Sequence, residues 1–122
     1  MGLTYLNARL AARGPKGHRS VQFLADSGAI YSVLPEPIWK KMGLKPLREV
    51  EFTLADGTVI TRQVSECFFE VQGQGGTSPV ILGHKDDAPL LGAVTLEVLG
   101  LMLNPLSREL LPMRMMMAHV GK

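Results

Sequence analysis

Val21-Gln22-Phe23-Leu24-Ala25-Asp26-Ser27-Gly28-Ala29-Ile30-Tyr31-Ser32-Val33-Leu34-Pro35 is the stretch on which the fold turns. An apolar, strand-like run delivers one carboxylate, Asp26, into a turn of small residues, and a second apolar segment leads away. Burying that charge without a partner would cost several kcal/mol. Ser27 sets a hydroxyl beside it, and Gly28 lets the backbone approach whatever lies opposite. Taken alone, the triplet reads as an Asx-turn that closes a strand, since Asp, Ser and Gly are ordinary turn formers.

The chain has 122 residues, the length of one domain. A chain this short buries about two-thirds of its unfolded surface, so a partner subunit would help it. Hydrophobic residues make up 46% of it against a formal charge of +2, a globular composition. Its Lys and Arg residues are dispersed, with no run suited to a phosphate backbone, so nucleic acid is not an expected partner. One cysteine, Cys67, permits no intrachain disulfide and suggests a reducing compartment. Met1-Gly2-Leu3-Thr4-Tyr5-Leu6 lacks the basic segment and apolar core of a signal peptide, and Leu6 breaks the myristoylation pattern. No apolar stretch is long enough to span a bilayer. The expectation is a soluble, cytoplasmic protein.

Outward from the Asp26 turn, Leu3 to Ala12 reads as a first strand, Gly14-Pro15-Lys16-Gly17 as a turn, and Val21 to Ala25 as the returning strand. Glu36 to Gly43 reads as a short helical turn, with Pro37 at its start, Gly43 at its stop, and Trp39 and Met42 as anchors. Val50, Phe52 and Leu54 share one strand face, and Asp56-Gly57 then predicts a hairpin with a two-residue turn into Thr58 to Val64. Cys67, Phe69 and Val71 alternate up to a loop at Gly73-Gln74-Gly75-Gly76, and Pro79 to Leu82 forms the next strand. Ala93 to Leu99 is the convincing helix, stopped by Gly100. Leu101 to Pro105 and Arg108 to Leu111 read as closing strands, and Met113 to Lys122 as a poorly ordered, Met-rich tail. Short strands, frequent turns and one late helix indicate a small closed or sandwiched β fold.

Other chemistries find little support. Cys67 lies on an alternating strand, as buried core thiols do. His84, Asp86 and Asp87 meet no metal-ligand spacing and read as a solvated loop; His18 and His119 read as exposed. The segment Gly73 to Gly76 lacks the Lys-Ser/Thr of a phosphate loop and opens no helix. Neither a metal nor a cofactor is expected.

Three features nevertheless occur in one order: the apolar strand into Asp26-Ser27-Gly28-Ala29, the hairpin tipped by Asp56-Gly57, and Leu90-Leu91-Gly92 running into a helix. Together they resemble the retropepsin-like aspartic proteases, the family of the retroviral proteases and their cellular relatives. The resemblance runs from Val21 to Pro105. It implies a mainly β, small closed barrel of the retropepsin type with one short C-terminal helix. Residues 1–112 would form the single protease domain, with 113–122 as a tail outside it. It also implies a homodimer acting on peptide or protein substrates, each subunit giving one turn to a shared site. Asp26 would be the catalytic aspartate, and the Ser27 hydroxyl would tie the two turns together. Gly28 and Ala29 would complete the active-site turn, Gly28 approaching the substrate backbone. Leu54, Ala55, Asp56, Gly57 and Thr58 would form a flap over the peptide. Leu90, Leu91 and Gly92 would pack beneath the turn, and the His84-to-Pro89 loop would border the side-chain pockets. Where viral members pair an Asp with an Arg to stiffen this region, the chain has Ile30 and Ala93.

Such a site needs two carboxylates, one to take a proton from water and one to give a proton to the substrate. Two copies of Asp26 at a two-fold axis would supply both. Carboxylates ~3 Å apart repel by about 5 kcal/mol at an effective dielectric near 20, so the pair keeps one shared proton. This is the known behaviour of aspartic-protease dyads. Apolar residues such as Ile30, Leu54, Ile60 and Val80 are expected to line the side-chain pockets. The same residues also fit a non-catalytic peptide-binding module or an assembly protein.

Overall fold

Leu6, Ala8 and Leu10 alternate with Asn7 and Arg9, and so share one face of an extended chain. Val21, Phe23 and Ala25 answer them. The computed structural model describes residues 4–26, 28–114 and 117. Within it the two runs are β1 (Thr4–Ala11) and β2 (Arg19–Ala25), antiparallel, with Leu6 opposite Phe23 and Ala8 opposite Val21. There follow β3 (Ser32–Leu34), α1 (Glu36–Met42), β4 (Arg48–Thr53), β5 (Val59–Val71) and β6 (Gln74–Leu82). The chain continues through β7 (Leu90–Leu91), α2 (Ala93–Val98), β8 (Leu101–Leu103) and β9 (Leu110–Pro112).

Seven strands form one sheet in the order β1-β2-β7-β3-β6-β5-β4, and β1 pairs a second time with β5. The sheet therefore closes on itself and leaves β4 at its margin with β5 as its one neighbour. Leu10, Phe23, Leu34, Phe69, Val80 and Leu91 fill the interior with no solvent exposure. Phe23 and Phe69 meet at 5.9 Å with rings tilted by 47°. Each buried side chain of this size contributes about 1.5–3 kcal/mol. Leu96 and Leu99 dock α2 onto this core, and Trp39 packs α1 against it while its Nε1 donates to Gly83 O at 2.8 Å. Gly43 ends α1 in the left-handed conformation, as its place after Met42 implied. β8 and β9 pair with each other, Met102 opposite Leu111.

Both hairpin turns differ in size from those expected. At Asp56-Gly57 the loop has three residues: Leu54 N donates to Thr58 O at 2.7 Å and Gly57 N to Leu54 O at 2.9 Å. Gly57 takes the left-handed position (φ 89°) that such a loop requires. At the other hairpin, Gln72 and Gly73 both have positive φ, 51° and 80°, and form a two-residue turn. Gln74, Gly75 and Gly76 belong to β6 rather than to a loop. The two alternating runs around Cys67 are one continuous strand, β5, whose buried parity shifts at the adjacent buried residues Val64 and Ser65. The shift falls where β5 exchanges β4 for β6 as neighbour. The closing strand expected from Arg108 begins at Leu110, because Arg108 has a positive φ of 58°.

His18 is half-buried rather than exposed: its ring stacks on Phe68 at 6.4 Å, and Nε2 is buried without a hydrogen-bond partner. Cys67 is buried as expected, and desolvation, with Glu66 nearby, pushes its thiol up to about 12. It stays protonated at neutral pH and is unsuited to act as a nucleophile. No helix among the described residues is long and apolar enough to cross a membrane. Ser27, and in the Met-rich tail Met115, Met116 and residues 118–122, lie outside the described residues.

Asp56 Oδ1 accepts the Thr58 amide at 2.9 Å, and hydrogen bonds from Thr58 hold its carboxyl below the ordinary carboxylate range. A depressed carboxyl contributes fully above its unfolded value and loses that contribution as pH falls through the depressed one. The turn therefore keeps its cap at neutral and mildly acidic pH. The Thr58 amide resonance is expected to titrate with a midpoint below that of an ordinary exposed aspartate, and Asp56→Ala to abolish that titration.

Candidate active site

The strand that delivers Asp26 is pinned at its last residues. Leu24 N donates to Pro89 O at 3.1 Å, and Asp26 N to Leu91 O at 3.0 Å, continuing the parallel pairing of β2 with β7. Beyond Asp26 the backbone folds into a tight turn, with Ala29 N donating to Asp26 O at 3.1 Å. Gly28 N donates to Asp26 Oδ1 at 2.9 Å, which fixes the direction of the carboxylate while leaving it exposed to solvent. This is the Asx-turn geometry that the small residues favour.

Two further bonds strap the far side of the turn. Ala93 N donates to Ala29 O at 2.8 Å and Val94 N to Ile30 O at 2.9 Å. These amides open α2 and have no acceptor within their own helix, so the turn supplies them. Ile30 and Ala93, which stand where the resemblance places an ion pair, each take part in one of these backbone bonds, Ile30 with Val94 and Ala93 with Ala29, and neither bond needs charge.

Gly92 makes the approach possible. A Cβ placed on it would lie 2.6 Å from the Tyr31 carbonyl carbon and 2.8 Å from the Ile30 and Tyr31 oxygens. Its N–H donates to Ser32 Oγ at 2.9 Å. That hydroxyl bonds Thr95 Oγ1, which also bonds Ser78 Oγ at 2.8 Å, and all three side chains are buried. Sequence reading missed this cluster. The available signal was a hydroxyl at positions where strand and helix periodicity point inward.

A cleft of about 630 Å³ opens between the turn and the β4–β5 hairpin. Gly28, Ala29, Ile30 and Tyr31 line one side, Phe52, Thr53, Leu54, Ala55 and Ile60 the other, and Asp87, Ala88 and Leu90 one end. The expected pocket residues Ile30, Leu54 and Ile60 are there. Val80 is not: it is fully buried, and its neighbour Ile81 reaches the cleft instead, as strand alternation dictates. Asp56, Gly57 and Thr58 form the hairpin tip outside the lining, and Leu91 and Gly92 are buried beneath the turn. Tyr31, absent from the sequence-derived site, meets Phe52 edge-on at 5.8 Å, and its hydroxyl accepts a bond from Arg48 Nη2 at 2.8 Å.

A smaller cleft of about 410 Å³, bordered by Trp39, Glu49, Thr61, Gln63 and His84, includes no residue of the Asp26 turn. Asp87 Oδ2 accepts the His84 amide at 2.7 Å, so this pair shapes its loop. No group of His, Cys, Asp and Glu able to hold a metal ion occurs among the described residues.

The model of a family described as aspartyl protease matches residues 12–93. Among solved structures, the solution structure of simian foamy virus (mac) protease is similar with a TM-score of 0.56. The two sequences are 22% identical, and the match covers 77% of this chain and 92% of the viral one. That likeness is one of fold, the mainly β retroviral protease architecture. No curated protein matches the chain.

Because the atoms above Gly92 belong to the backbone, nothing there yields cheaply to an added methyl group. Gly92→Ala is expected to destabilise the fold by about 1–3 kcal/mol, the usual range for overpacking, measured by urea denaturation.

Proposed function

The chain belongs to the aspartyl protease family, and on that premise we propose that it is an aspartic endopeptidase working as a homodimer. One observation carries the reading. An exposed carboxylate, aimed by its own turn, stands two residues before the lining of an apolar cleft roofed by a hairpin. Residues 1–112 are assigned to the protease unit, with the Met-rich tail outside it.

One Asp26 and its copy from a second subunit form the acid–base pair. The ionised member takes a proton from a water molecule as the water oxygen attacks the scissile carbonyl carbon. The protonated member gives its proton to the carbonyl oxygen, producing a neutral tetrahedral diol. Collapse of the diol breaks the C–N bond. The amine nitrogen receives the proton taken from water, a diol hydroxyl returns its proton to the other carboxylate, and the pair is ready again. No covalent enzyme intermediate forms. Ser27 contributes the hydroxyl that links the two turns, and Gly28 and Ala29 face the peptide backbone. The hairpin from Leu54 through Ala55, Asp56, Gly57 and Thr58 closes over the substrate, while Leu90, Leu91 and Gly92 hold the turn from below. Ile30, Phe52, Leu54, Ile60 and Ile81 in the cleft favour apolar substrate side chains on either side of the cleaved bond.

Fluorescein-labelled casein at mildly acidic pH provides the assay, with sedimentation run in parallel. The wild type is expected to cleave as a dimer and to lose activity as rising pH removes the shared proton. Asp26→Asn is expected to remain dimeric and to lose about 10²–10⁴-fold or more in rate. Undiminished cleavage by Asp26→Asn, or a wild type that binds peptides without cutting them, would end the proposal. The second result would leave a peptide-binding module.

A further inference from the structure

Arg48 and Phe52 lie four residues apart on β4, so both side chains leave the same face of the strand. That face looks into the cleft, since Phe52 lines it. Tyr31, on the opposite side of the cleft, touches both: its ring lies 5.8 Å from Phe52 at 76°, and its hydroxyl receives the Arg48 bond. One side chain therefore spans from the segment that follows Asp26 to two points along the hairpin.

β4 has little else to hold it. It is the marginal strand of the sheet, paired with β5 alone, and most of its residues are exposed. Tyr31 itself starts from well-fixed backbone, since its carbonyl group sits directly over Gly92 and Val94 N holds Ile30 O. We propose that Tyr31 is a positioning residue: through Arg48 and Phe52 it sets the height of the β4–β5 hairpin above the Asp26 turn, ready to receive a peptide. This deepens the protease reading and rests on it for the functional consequence, although the contact can be measured without catalysis. A hairpin held in place before binding spares the ligand the cost of ordering it, so the effect on catalysis falls on KM.

Hydrogen exchange of the β4–β5 amides in the ligand-free protein tests the contact, with Tyr31→Phe, Arg48→Met and the double variant compared. Tyr31→Phe keeps the ring on Phe52 and removes only the hydroxyl. Each single change is expected to speed exchange in the hairpin about five-fold, the factor carried by one ordinary hydrogen bond. The core strands β2 and β7 should keep their protection. The double variant should match the singles, because both remove the same bond. Unchanged exchange in Tyr31→Phe, or effects that multiply in the double variant, would overturn the proposal. Casein cleavage by the same variants adds the catalytic readout: KM is expected to rise several-fold with kcat held, and a fall in kcat at constant KM would count against positioning. If exchange responds as expected and the wild type cleaves nothing, the hairpin contact stands and the protease reading falls.

Discussion

The hydrogen bond from Asp26 N to Leu91 O is the constraint on which the site depends. A carboxylate at the end of a strand would ordinarily follow the motion of the turn beyond it. Here the last strand residue pairs with β7, the turn beyond is strapped to α2, and β7 leads straight into α2 through Gly92. The turn is therefore held on both sides by one continuous segment, Leu90 to Val94. Misplacing a reacting group by about 1 Å is costly in rate, and two anchors from one rigid piece allow less relative motion than two from separate elements.

That segment also explains how the site does without an ion pair. An Asp–Arg pair at positions 30 and 93 would weaken as pH falls, because acid protonates carboxylates. The backbone bonds from Ala93 and Val94 carry no such dependence. They also satisfy two amides that any helix start leaves without partners. Ile30, freed from pairing, is 67% exposed and enlarges the apolar lining of the cleft.

Much of this was legible because it rests on local patterns. The strand into Asp26, the short helix between Pro37 and Gly43, the hairpin around Asp56 and the late helix all carry period or turn signals that a single chain displays. The misreadings share one physical origin: they concern what tertiary neighbours decide. Asp-Gly fits turns of two or three residues, and hairpin register decides between them. Gly75 and Gly76 look like loop residues, yet β6 accommodates them because their missing side chains leave room for Phe68 and Val98. Val80 and Ile81 are equally apolar, and only the parity of β6 tells which one reaches the cleft. The Ser32–Thr95–Ser78 cluster joins residues up to 63 positions apart, so inward-pointing hydroxyls show in the sequence but their meeting does not.

The molecule thus separates into a stiff floor and a compliant roof. The floor rests on buried Ser32, Leu91 and Gly92 and is bonded on several sides; the roof is a two-stranded projection with Leu54 and Val59 exposed and β4 unpaired along one edge. In the proposed protease the roof would move to admit an extended peptide, and an exposed strand paired on one edge alone suits such movement. Movement without a reference height would scatter the roof over many positions, and the peptide would have to select one. Tyr31 meets both needs because its backbone belongs to the floor and its ring and hydroxyl to the roof. A contact of one hydrogen bond and one aromatic edge is strong enough to bias the resting height and weak enough to be broken by thermal motion.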